Sequence, residues 1–145
     1  MPIRFSGDGA PSPARSLLRP IPRAIRTVLS SHHRRDGLIH LIWVTKDRIR
    51  KMNRRFRRVR RITDVMAFRY EAGAGDKKRV DGDLFICPAR AAENAKRFRV
   101  PYPEELVRLS VHGTLHLLGY TDYVPAQRAR MWRRQERTVR KILKP

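Results

Sequence analysis

A chain of 145 residues with 34 lysines and arginines against 13 acids carries a formal net charge of +21. The length suits one domain with an ordinary core, and the charge exceeds what solubility requires, so a polyanionic partner is indicated: nucleic acid first, an anionic membrane surface second. Cys87 is the only cysteine, which excludes an intramolecular disulfide and a Cys-rich zinc finger, and no apolar run approaches the ~20 residues needed to span a bilayer.

Residues 1–19 are expected to form a poorly ordered or edge-strand segment, because MPIRF suits a short edge strand and SGDGAPSPARS after it has the composition of a loop. The Arg-rich, acid-poor first thirty residues have a composition also seen in transit peptides, but a basic first helix on a cytoplasmic protein accounts for them without a second compartment; no apolar segment there resembles a secretory signal. From Pro20, PIPRAIRTVLSSHH places Ile21, Ile25, Val28 and Leu29 on one stripe and predicts an amphipathic helix. GLIHLIWVT, residues 37–45, is continuously apolar and predicts a strand covered on both faces. Thr45 can cap a helix through KDRIRKMNRRF, in which Ile49, Met52 and Phe56 recur at helical spacing.

TDVMAF (63–68) and GDLFIC (82–87) predict two short strands, joined by the exposed polar connector EAGAGDKKRVD. Pro88 suits the first turn of a helix through ARAAENAKRF, which VPYP must interrupt. EELVRLSVHGTLHLL predicts a largely buried helix with Leu106, Leu109, Gly113, His116 and Leu117 facing inward, and PAQRARMWRRQERTVRKIL a basic last helix carrying Met131, Trp132, Val139 and Ile142. The order predicts an α+β class: a small mixed four-stranded sheet packed with about five helices, as one domain over residues 1–145.

The chemistry concentrates in SVHGTLHLLGYTDY, residues 110–123. Side chains four apart on a helix differ by about 40° in direction, so His112 and His116 can share one ion. Gly119 can adopt the left-handed conformation that ends the helix, and the returning chain can bring Asp122 to the same point. Two nitrogens, one oxygen and a position left for water suit catalytic zinc. A His-x-x-x-His pair alone is a weak signal, since helical histidines are often surface residues or satisfied core residues. Gly119 and Asp122 strengthen it, as does the cost of burying imidazole nitrogens unpaired, about 1–3 kcal/mol each. Gly113 occupies the place where a His-Glu-x-x-His peptidase carries its general base. Its absence argues against a metallopeptidase and favours phosphodiesters, whose developing charge cationic side chains can stabilise.

HGTLHLLGY at 112–120 resembles the signature of the YbeY family of endoribonucleases, or ribosomal RNA maturation factors, which continues to a third ligand. MNRRFR (52–57) resembles that family's Leu-Asn-x-x-Tyr-Arg, TDVMAF its Thr-Asp-Val-Leu-Ser-Phe, and GDLFICPARAAENA its Gly-Asp-Ile strand and following helix. These motifs cover residues 37–140. The resemblance implies a compact α+β fold, one zinc ion per chain held by His112, His116 and Asp122, and a catalytic role for Arg57 facing the substrate phosphate beside His112 and His116. It also implies cleavage of single-stranded RNA in ribosomal RNA maturation and ribosome quality control, in the cytoplasm, with ribosomal RNA and the ribosome or its small subunit as partners. Asp122 departs from the histidine of most members and lowers the charge of the centre by one unit, which makes a weaker Lewis acid. Ala67 and Arg69 depart from the family's Ser and Pro.

Simpler readings exist for several of these residues. RRFRRVRR holds six arginines, any of which can be a solvated charge, and Arg57 stands out by motif position alone. Asn53 can orient Arg57 or cap a turn, Thr63 and Asp64 suit turn chemistry, His32 and His33 a polar helix end, and His40 a strand core. The competing function is a non-catalytic, basic RNA-binding ribosome assembly factor with a structural metal; a metallopeptidase comes third. The sequence leaves the oligomeric state open.

Overall fold

The computed structural model describes residues 3–56, 64–71 and 76–144. In chain order these form β1 (Ile3–Asp8), α1 (Arg15–Leu18), α2 (Pro20–Ser31), β2 (Arg35–Val44), α3 (Lys46–Phe56), β3 (Val65–Tyr70), β4 (Arg79–Ile86), α4 (Pro88–Phe98), α5 (Tyr102–Leu117) and α6 (Pro125–Leu143). Local chemistry sets most boundaries. Proline occupies the first turn of α2, α4, α5 and α6, where a missing N–H costs nothing. Thr45 Oγ1 accepts from the Arg48 N–H at 3.1 Å and opens α3.

The four strands lie in the order β1-β2-β4-β3. β1, β2 and β4 run parallel, and β3 is antiparallel to β4. The α+β expectation with a small mixed sheet therefore holds, the single turn α1 joining five longer helices among the described residues. β1 continues through Asp8, three residues beyond the predicted strand, because each residue from Ile3 to Asp8 pairs with one from Ile39 to Val44. Ile3 and Leu18 are both buried in the main core, so the ordered structure begins well before Pro20.

Period two sorts each strand into two faces. Ile39, Leu41 and Trp43 of β2, Val80, Leu84 and Ile86 of β4 and Val65 of β3 are buried with α2 and α5 in the main core. On the other face α3 covers one end only, where Ile49 and Met52 enclose Val44, Met66 and Cys87. The expected cover on both faces of β2 is thus corrected: Leu38 is 48% exposed. His40 on that face bonds to Ser6 Oγ at 2.7 Å rather than lying in the core. One helix is too short to roof four strands, and an apolar run does not reveal how far its roof extends.

α5 lies at the centre of the helical layer, between α2, α4 and α6 and against β3 and β4. Its buried hydroxyls bond inside the helix, Ser110 Oγ to the Leu106 carbonyl and Thr114 Oγ1 to that of Ser110, so burial leaves them satisfied. Gly113 is where helix and sheet approach closest. A Cβ there would lie 2.9 Å from Leu84 Cδ2 and 3.0 Å from Val65 Cγ2. Glycine lets α5 settle on the sheet, and no acidic side chain fits at this position.

Of the apolar residues that the sequence places on α6, Trp132 is 58% exposed. Met131, Gln135, Val139 and Ile142 form the buried face instead. Gly113→Val is expected to lower stability by about 1–3 kcal/mol through overpacking. Gly113→Ala is expected to change it by less than about 1 kcal/mol, since better helix propensity offsets the contact. Urea unfolding of the two variants measures both.

Candidate metal centre

α5 presents His112 and His116 from successive turns, and the chain then reverses. Gly119, at φ 96°, takes the left-handed conformation, and the Gly119 and Tyr120 N–H groups bond to the carbonyls of His116 and Leu115 at 3.0 and 3.1 Å. The turn returns Asp122 to the end of the helix it has just left. Asp122 Oδ2 lies 3.8 Å from His112 Nε2 and 3.9 Å from His116 Nε2, and the two Nε2 atoms are 3.0 Å apart. Asp122 is 8% exposed. All three sequence-predicted ligands therefore meet, and among the described residues they form the one His/Cys/Asp/Glu group able to hold a metal ion.

Which ring nitrogens face inward is decided on the far side of each ring. His116 Nδ1 lies 2.9 Å from the Tyr120 carbonyl oxygen, which can only accept, so Nδ1 carries the proton. His112 Nδ1 lies 2.6 Å from Gln135 Oε1. The Gln135 amide is oriented in turn: its Nε2 donates to Glu136 Oε2 at 3.0 Å, and Arg108 holds that carboxylate through Nε at 2.8 Å and an Nη2 contact at 2.9 Å. Burial works against ionisation of Glu136, but hydrogen bonds from Arg108 and Gln135 outweigh it and keep its carboxyl below the usual range. Glu136 is thus an acceptor, Gln135 must turn its oxygen to His112, and His112 Nδ1 is the donor.

Both Nε2 atoms then aim lone pairs at a space that a carboxylate oxygen also faces. Two imidazole nitrogens and a carboxylate oxygen are the donor types that a divalent transition ion takes. A point equidistant from all three lies about 2.1 Å from each, the length of a zinc–nitrogen or zinc–oxygen bond. The donor set fits a divalent transition ion.

Beside the ligands opens a cleft of about 270 Å³ lined by Asp64, Asn94, Phe98, Arg108, His112 and Asp122, among others. Its arginine is already engaged: Arg108 contacts Glu104, Glu105 and Glu136, and hydrogen bonding to Glu136 raises its pKa further despite burial. Burial pushes the Glu105 carboxyl up, with Arg108 pulling the other way. Asp64 has more than turn chemistry, for Arg90 Nε and Asn94 Nδ2 donate to it at 2.9 and 2.6 Å. Asn53 is buried and donates to the Ile49 carbonyl of its own helix. His32 ends α2 as expected, and its Nε2 lies 2.8 Å from the Tyr120 hydroxyl. Arg69 donates to the Leu117 carbonyl at 3.2 Å, closing the carboxyl end of α5. Arg57 and Thr63 lie outside the described residues.

Sequence reasoning missed Gln135. Its signal was available, because Met131, Gln135 and Val139 recur every four residues, which puts a polar side chain on the buried stripe of α6. Gln135→Leu is expected to weaken metal binding by about 10- to 100-fold while the metal-free fold persists. Competition with a chromophoric chelator measures the affinity, and circular dichroism of the metal-free protein the fold.

Comparison with known proteins shows the family. The family model described as endoribonuclease YbeY matches residues 13–143, beginning before the 37–140 span of the sequence motifs. An endoribonuclease YbeY of Endomicrobium trichonymphae is 35% identical over 114 residues, 79% of this chain and 77% of that protein. One of Chlorobium luteolum is 31% identical over 122 residues, 84% and 86% of the two chains. A Thermotoga maritima protein solved in solution superposes with a TM-score of 0.61 at 26% identity, covering 97% of this chain and 88% of that one. With its converging histidines carried on the helix that the motif occupies, the chain belongs to the endoribonuclease YbeY family.

Proposed function

We propose that this chain is a zinc-dependent endoribonuclease that prefers single-stranded RNA and acts on ribosomal RNA, in maturation and quality control of the ribosome, in the cytoplasm. The observation that carries the reading is the convergence of His112 Nε2, His116 Nε2 and Asp122 Oδ2, with both rings oriented from behind. Family membership makes RNA the substrate class, and the +21 charge suits a polyanion. No helix among the described residues is long and apolar enough to cross a membrane.

His112, His116 and Asp122 would hold the ion. When bound, zinc supplies Lewis acidity and a water nucleophile that is active near neutral pH. Gln135 and Tyr120 keep each imidazole in the tautomer that leaves Nε2 unprotonated, so no proton competes for the ligand position. Gly113 places no carboxylate at the position where a His-Glu-x-x-His peptidase carries its base. Charge developing on the phosphate oxygens needs a cation, and Arg108 offers little, since four of its donor contacts go to carboxylates. That role falls to Arg57, the arginine at the family's motif position.

Purified protein is expected to cleave labelled single-stranded RNA faster than duplex, and chelation is expected to abolish cleavage. Retention of RNA binding with no metal-dependent cleavage under any divalent ion would favour the assembly-factor reading. Arg57→Ala is expected to reduce cleavage by about 100-fold or more with metal content and RNA affinity nearly unchanged, because a guanidinium at the reacting phosphate acts mainly on the transition state. Arg58→Ala is the control. Equal losses in the two variants, in proportion to weakened binding, would remove the assignment.

A further inference from the structure

α6 has two faces of different character. The inner one, Met131, Gln135, Val139 and Ile142, is buried. On the opposite side Arg130, Arg133, Arg134, Arg137, Arg140 and Lys141 recur at three- and four-residue spacing and so share one face; all but the half-buried Arg134 are exposed. From Arg130 to Lys141 this ridge runs about 16 Å.

Two observations distinguish the ridge from an ordinary solvated surface. Several arginines elsewhere are paired, Arg26 with Asp36, Arg79 with Asp81, Arg90 with Asp64, and Arg108 with Glu104, Glu105 and Glu136; the ridge differs in setting six cations on one helix face without such a pair among the described residues. The sole acid of α6, Glu136, is turned to Arg108. Like charges at three- and four-residue spacing weaken a helix, a cost that a bound polyanion relieves. The ridge also begins beside the turn that follows the ligand helix. The Arg130 guanidinium lies over the Tyr120 ring, 5.6 Å from its centroid, and the Tyr120 carbonyl orients His116.

We propose that the outer face of α6 is a docking ridge for the RNA phosphate backbone, outside the metal cleft, which lays an RNA along the helix and leads it toward the metal ligands. The proposal rests on the RNA reading above and adds a second contact surface to it. Five guanidiniums to one ammonium suit bidentate contacts with phosphate oxygens. A membrane surface fits less well, since an interfacial helix needs a free apolar face to insert and the apolar face of α6 is buried in the core.

The test is a salt titration of affinity for a fluorescent, unstructured RNA long enough to cover both cleft and ridge. It compares the full-length protein with Arg133→Gln/Arg137→Gln/Arg140→Gln and with a control of equal charge change, Arg4→Gln/Arg15→Gln/Lys78→Gln, at exposed positions away from α6. Loss of three phosphate contacts should make the slope of log affinity against log salt shallower by about 2 and weaken binding by about 10- to 100-fold near physiological salt. The control should keep the wild-type slope. Metal content and thermal unfolding of the ridge variant should match wild type, which shows that the fold survives. Equal slopes for the two triple variants would overturn the ridge while leaving RNA cleavage by wild-type protein standing. Failure of wild-type protein to bind RNA at all would overturn both readings. Polyglutamate or phosphatidylserine vesicles that compete as well as RNA at equal charge would overturn the assignment to RNA.

Discussion

The hydrogen bond between His112 Nδ1 and Gln135 Oε1 is the interaction on which the character of the site depends. A histidine can bind a metal only through a nitrogen that carries no proton, and the ring has two nitrogens to choose between. A carbonyl behind His116 settles the choice outright. Behind His112 stands a side-chain amide, which could present either end. The orientation comes from one step further out, where Glu136, kept ionised by Arg108, can only accept and so takes the amide N–H. Polarity passes from a guanidinium to a carboxylate, to an amide, to a ring, and ends as a lone pair aimed at the space that His116 and Asp122 also face. Each link is a donor meeting an acceptor that has no alternative role.

That relay requires α5 and α6 to be held in fixed relation, and the constraint is one of packing. α5 contacts helices on several sides and strands beneath, and comes so close to Val65 and Leu84 that the residue at 113 can carry no side chain of consequence. A dense interior of this kind has few alternative arrangements, so the ligand-bearing turns and Gln135 are positioned by the core rather than by each other. Gly113 accordingly has two consequences in one residue: it permits the seating of the helix, and it leaves no room for a glutamate at the position where a His-Glu-x-x-His peptidase carries its base.

α6 serves the same centre from two directions. Its inner face packs on α5 and brings Gln135 to His112; its outer face carries cations that form no ion pair among the described residues. A single rigid helix therefore ties the geometry of the ligands to a surface suited to polyanions. The opposite side of the sheet shows the reverse economy of cover, with α3 roofing one end and Leu38 and the Ser6–His40 pair left toward solvent.

Much of this was legible without coordinates. Helical periodicity located α2, α3, α5 and α6, the period and spacing of His112, His116, Gly119 and Asp122 placed three ligands together, and the charge indicated a polyanion, because each of these is a local or additive property of the chain. Other features depend on residues far apart in sequence and became determinate only on folding. The parallel pairing that extends β1 to Asp8 needs β2 beside it. The exposure of Leu38 depends on where α3 ends. The role of Gln135 follows from Arg108, 27 positions away on another helix, and the tautomer of His112 follows from that. Spacing along one helix is set by backbone geometry alone and so determines which residues can meet an ion; which of their atoms face it is a matter of hydrogen-bond partners, and only tertiary packing supplies those.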